Sequence, residues 1–100
     1  MNYFKVVRKD LTSVGLLGAS LIQYKIGEWT YPLETLSNDR LKGGGLWVLK
    51  TKSNARRFKK YIETKHGFNI RIFTCEIGIV LFQTSYRVKT DRVMLKEELY

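Results

Sequence analysis

Hydrophobic and polar positions change period several times along the chain, and each period predicts an element. Tyr3–Arg8 alternates weakly, with Phe4 and Val6 on one side and Tyr3, Lys5 and Val7 on the other. That pattern predicts a strand with both faces partly covered. Asp10–Ser13 is turn chemistry, and Val14–Ser20, punctuated by Gly15 and Gly18, reads as a loop. Leu21–Ile26 predicts a second strand, with Ile22, Tyr24 and Ile26 on one face and Gly27 ending it. Leu46–Lys50 predicts a third.

From Ser53 to about His66 the period becomes helical. Ala55, Phe58, Tyr61 and Ile62 recur at spacings of three and four, which predicts a buried stripe. The Ser53 hydroxyl is placed to accept from the free N–H groups of the first turn. Gly67 suits the left-handed residue that closes a helix. Asn69–Ile77 and Ile79–Gln83 then predict a hairpin broken at Gly78, with Ile70 and Ile72 on one face and Phe73, Cys75 and Ile77 on the other. Tyr86–Lys89 is short and β-prone, and Val93–Tyr100 suits either a strand or a helical turn. Glu28–Gly45 carries Pro32 and the run Gly43-Gly44-Gly45 and predicts the least ordered part, with room for a helical turn at Leu33–Asp39. Connections of that length in a compact domain are usually functional or mobile.

The element order predicts an α+β fold in a single domain, residues 1–100. It consists of a mostly antiparallel sheet of five to six strands with one main helix packed on one face. Composition agrees with a globular chain, at 44% hydrophobic and 27% charged residues. The single Cys75 excludes an intramolecular disulfide, and with the single His66 it cannot make a Cys/His zinc site. No metal or cofactor is expected. Met1–Lys5 does not read as a signal peptide, and the longest apolar run, Ile77–Phe82, is far too short to span a bilayer. The expectation is a cytoplasmic protein with no membrane partner.

Charge changes the picture. The net charge is +9, and the segment Arg40–Arg71, with ten bases and Glu63 as its only acid, accounts for all of it. The remaining residues balance. On a helical wheel Arg56, Arg57 and Lys60 fall opposite the apolar stripe, so they face solvent if the stripe is buried. Lys50 and Lys52 precede the cap, and Arg56 and Arg57 are expected in the first turn, where cations oppose the helix macrodipole. An anion bound there reverses that penalty by accepting from free N–H groups and from the Arg forks. The candidate anion site is therefore Lys50, Lys52, Ser53, Arg56, Arg57, Lys59 and Lys60, with Trp29 and Tyr31 as candidate stacking residues and Trp47 read as core. The competing reading is an ordinary solvated basic face.

No enzyme motif emerges. A strand rather than a helix follows Gly43–Gly45, so the run is not a P-loop, and G-x-G-x-x-G is absent. His66 has no nearby nucleophile, Cys75 reads as a small packing residue, and no catalytic residue is assigned.

Phe4–Val7 with Asp10–Ser13, Gln23–Trp29, Gly45–Val48 with Ala55–Phe58, and Ile72–Ile77 together resemble small uncharacterised proteins of phages and bacteria. That resemblance implies an inhibitor that docks on an acidic surface of a host protein, often one handling nucleic acid. The strand–helix–strand order after Gly45 also resembles ADP-ribosyltransferase-type folds, which pair an early-strand Arg or His with a late Glu. Arg8 and Glu98 are the residues of those types here, with no motif around either. This second resemblance implies an NAD-linked or nucleotide-binding enzyme. The leading expectation remains a small basic accessory protein that binds an anionic partner, nucleic-acid backbone first and an acidic protein surface second.

Overall fold

The computed structural model describes residues 3–14, 22–32 and 45–100. Seven strands and one helix occupy them: β1 (Tyr3–Arg8), β2 (Trp29–Thr30), β3 (Leu46–Leu49), α1 (Lys52–His66), β4 (Ile70–Ile77), β5 (Val80–Gln83), β6 (Arg87–Thr90) and β7 (Val93–Leu99). All strands join one antiparallel sheet in the order β2-β7-β4-β1-β3-β6-β5. The α+β expectation holds, with seven strands instead of five to six. The expected helical turn at Leu33–Asp39, the loop residues 15–20, and Gly43 and Gly44 lie outside the described residues.

Period-two patterning sorts the side chains as expected. Phe4, Val6, Ile70 and Ile72 face the helix, where Ala55 and Ile62 meet them with Leu49, Phe58, Phe68 and Leu99 at the margin. Val7, Phe73, Cys75, Val48, Val88, Val93 and Leu95 line the opposite face together with Tyr24. Ile62 and Ala55 are fully buried, and an Ile burial of that kind contributes about 1.5–3 kcal/mol. These contacts fix α1 across β4, β1 and the end of β3.

Four expectations are corrected. Leu21–Ile26 is not a strand over its described residues. Gln23 makes an isolated bridge to Thr12 and Ile26 one to Leu95, while the Tyr24 N–H donates to the Leu11 carbonyl at 2.8 Å. The segment runs against the turn after β1 and so finds no continuous ladder. Second, β4 and β5 do not form a hairpin. Both edges of β4 are already taken by β1 and β7, so β5 pairs with β6 instead. Gly78 marks the departure: its N–H donates to the Arg92 carbonyl at 3.1 Å, and the Ile79 N–H donates to Asp91 Oδ1 at 2.8 Å. Third, part of Glu28–Gly45 is regular, because Trp29 and Thr30 pair with Met94 and Val93. Fourth, Tyr61 is 48% exposed and outside the buried stripe. Its hydroxyl accepts from Lys65 Nζ at 2.9 Å, along the helix surface. The open alternative at the C-terminus resolves as a strand, β7, held along β4 with a bulge between Phe73 and Cys75. No helix among the described residues is long and apolar enough to cross a membrane.

Candidate functional site

The helix begins two residues earlier than its sequence suggests. Thr51, in extended conformation at φ −133°, is the cap, and its Oγ1 accepts from the Asn54 N–H at 3.1 Å. Ser53 is therefore inside the helix and not its cap. The physical reason is that Thr and Ser are comparable caps, and the chain leaves β3 at Leu49 and reaches helical conformation within three residues. The shift moves Arg56 and Arg57 into the second turn. Lys52 is then the one base of the candidate set inside the first turn, and that turn holds no acid. The macrodipole penalty expected for both arginines falls off by their position. Gly67 closes the helix as expected, at φ 69°, with its N–H donating to the Glu63 carbonyl at 3.1 Å.

With Ala55 and Ile62 against the sheet, Lys52, Ser53, Arg56, Arg57 and Lys60 are exposed, and Lys50 and Lys59 are half-buried. The ion pairs among the described residues are Arg71–Glu98, Arg92–Asp91 and Lys96–Glu76. None of them uses a base from Lys50 to Lys60. Glu63, the acid of the segment, has its carboxylate turned to the Ile70 N–H at 3.4 Å, so it serves the helix–β4 junction. Among the described residues no carboxylate forms an ion pair with a base of this face, and Glu98 acts on Lys59 only through longer-range charge. Arg71 is, among the described residues, the member of the basic segment that an ion pair neutralises. Its Nε and Nη2 donate to the two oxygens of Glu98 at 2.9 and 2.7 Å. The pairing holds the Glu98 carboxyl below, and the Arg71 guanidinium above, their ordinary values.

The two candidate stacking residues lie elsewhere. Trp29 is in β2, an edge strand, and β7, β4 and β1 separate it from β3. At strand spacing this is roughly 19 Å across the sheet. Trp29 lies under the Arg92 guanidinium, 4.9 Å from the ring centre, and Tyr31 beyond it is exposed.

A different aromatic pair stands beside the helix start. β6 runs antiparallel to β3 with Arg87 opposite Leu49 and Lys89 opposite Trp47. The Lys50 N–H donates to the Tyr86 carbonyl at 3.0 Å, which fixes Tyr86 next to the chain entering α1. The Arg87 guanidinium carbon lies 4.1 Å from the Trp47 ring centre and 5.6 Å from that of Tyr86. Trp47 is half-buried, not core, and meets Phe82 edge-on at 6.3 Å. Sequence reasoning missed Tyr86 and Arg87. Their one local signal is an aromatic beside a base at the head of a short strand, and the nearness to Lys50 arises only from β3–β6 pairing.

The remaining candidates for chemistry are committed to structure. Cys75 is buried, and burial pushes its thiol up to about 12. His66 stacks on Phe68 with ring centres 5.6 Å apart. Arg8 donates to the Val14 carbonyl at 2.7 Å and lies 3.9 Å over the Phe68 ring. Among the described residues, no cluster of His, Cys, Asp or Glu is suited to a metal ion. Comparison with family models, with curated proteins and with solved structures finds no match to this chain.

Proposed function

We propose that this protein binds the phosphate backbone of nucleic acid through the outward face of α1 and the chain leading into it. One observation carries the reading. Arg56, Arg57 and Lys60 project from a rigidly packed helix, with Lys52 beside them, and no carboxylate among the described residues pairs with any of the four. A solvated helix face ordinarily interleaves acids with its bases at i,i+4 spacing, and this one does not. Phosphates spaced along a strand match such a row of cations without reading bases.

Binding through about three to five phosphates gives a log K versus log salt slope of roughly −2.7 to −4.5 on duplex DNA. The test is fluorescence anisotropy across a salt series with the wild type and with Arg56→Glu, Arg57→Glu and Lys60→Glu combined. The combined variant keeps its circular dichroism spectrum and loses binding. Unchanged affinity in a folded variant overturns the reading. An acidic protein surface presents the same complement to these cations. A tagged pull-down with and without nuclease separates the two: a nuclease-resistant protein complex with no affinity for bare nucleic acid assigns the site to a protein partner.

A further inference from the structure

We infer that Tyr86 and Arg87 form a stacking station for an unpaired nucleobase, so that the site prefers single-stranded to duplex nucleic acid. The inference rests on the nucleic-acid reading above and specifies its substrate class.

The Tyr86 ring is 47% exposed, yet its backbone is pinned from both sides. Its N–H donates to Thr84 Oγ1 at 3.3 Å, and its carbonyl accepts from the Lys50 N–H at 3.0 Å. The Arg87 N–H donates to the same Thr84 hydroxyl at 3.2 Å. An exposed aromatic on a fixed turn loses little side-chain entropy when a second ring stacks on it. The turn also places it beside Lys50, at the entry to the basic helix.

Arg87 supplies the second half. It lies on the Trp47 face and toward the Tyr86 ring. Its Nε is buried without a hydrogen-bond acceptor among the described residues, and no described carboxylate pairs with it. A guanidinium with a buried, unsatisfied donor carries a desolvation cost that an anion nearby relieves. Sheet pairing puts Arg87 opposite Leu49, two residues before the Thr51 cap and on the face that carries α1. A phosphate on Arg87 and Lys50 with its base over Tyr86 follows the combination that single-strand binders use, cations along the backbone and aromatics under the bases. Bases inside a duplex are already stacked and do not offer a face to such a ring.

The test compares anisotropy titrations of labelled twelve-nucleotide oligothymidylate, oligouridylate and a mixed-sequence duplex of equal length at low salt. The proteins are the wild type, Tyr86→Ala, Tyr86→Phe and the triple charge-reversed helix variant. The wild type binds a single strand more tightly than the duplex, and the two single strands tell deoxyribose from ribose preference. Tyr86→Ala weakens single-strand binding about 5- to 150-fold and leaves duplex binding unchanged, while Tyr86→Phe stays at the wild-type value. A folded Tyr86→Ala that binds single strands like the wild type, or a wild type that binds the duplex as tightly as single strands, overturns this inference. If the charge-reversed variant then loses binding, the backbone reading survives alone. A wild type that binds no probe overturns both.

Discussion

Arg71 grips Glu98 through two parallel hydrogen bonds, Nε to Oε2 at 2.9 Å and Nη2 to Oε1 at 2.7 Å. The pair bridges β4 and β7 beside the register shift in their ladder, and the Tyr100 hydroxyl donates to the same carboxylate at 3.2 Å. Fork-to-fork geometry makes this the strongest ion pair among the described residues. It also explains why the basic segment is not uniformly available: its last base is spent on the fold.

The pairing sets an acid-side pH dependence. Glu98 titrates below its ordinary 4.5 in the folded state, so its stabilisation is complete above the unfolded value and is lost as pH falls through the folded one. The pair is partly solvated, with side-chain exposures of 32% and 16%, so its contribution is about 1 kcal/mol. Glu98→Gln therefore lowers stability at neutral pH by about that amount, and its denaturation curve converges with the wild type in acid. Equal pH profiles for the two proteins would contradict the assignment.

Thr51 and Ser53 separate the observed cap from the expected one. Thr51→Ala removes the acceptor for the Asn54 N–H and lowers stability by about 1 kcal/mol. For a chain of this length that is roughly 4–8 °C in Tm. Ser53→Ala changes stability by less than about 0.5 kcal/mol, since its side chain is exposed inside the helix. Calorimetry of the two variants checks the order.

Tyr24 is fully buried on the sheet face away from the helix, and its hydroxyl has no hydrogen-bond partner among the described residues. Tyr24→Phe removes the unsatisfied group while keeping the ring, so stability stays level or rises by about 1 kcal/mol. A loss on urea denaturation would reveal a partner for the hydroxyl in solution.

Gly78 answers to packing, not to backbone conformation. A Cβ there would run into the Asp91 carboxylate and come within 2.8 Å of Arg92 Cγ. Asp91 holds the Ile79 N–H, so displacing it also frees the start of β5. Gly78→Ala costs about 1–3 kcal/mol, measured by thermal unfolding.

Cys75 is closed to alkylation. Its thiol is buried and ionises at about 12, against 9.0 when free. Iodoacetamide at pH 8 labels it in urea and leaves it unmodified in the native protein. The raised value also gives an alkaline limit. Stability from the neutral thiol is full below pH 9 and declines between 9 and 12, by up to about 1.4 kcal/mol per pH unit.

Local periodicity determined much of this protein. The faces of β1 and β4, the helix with its buried Ala55 and Ile62, the Gly67 closure and the concentration of bases on one helix face follow from residues a few positions apart. Such features depend on near neighbours, and the chain carries them wherever it folds. The pairing of strands depends instead on competition among distant segments. The residues of β5 suit a hairpin with β4, and only the prior claim of β1 and β7 on both edges of β4 sends β5 to β6. That choice places Arg87 opposite Leu49 and Tyr86 beside Lys50, residues some 36 positions apart. The charge of the candidate site was therefore written along the helix, and its aromatic neighbour was decided by the order of strands in the sheet.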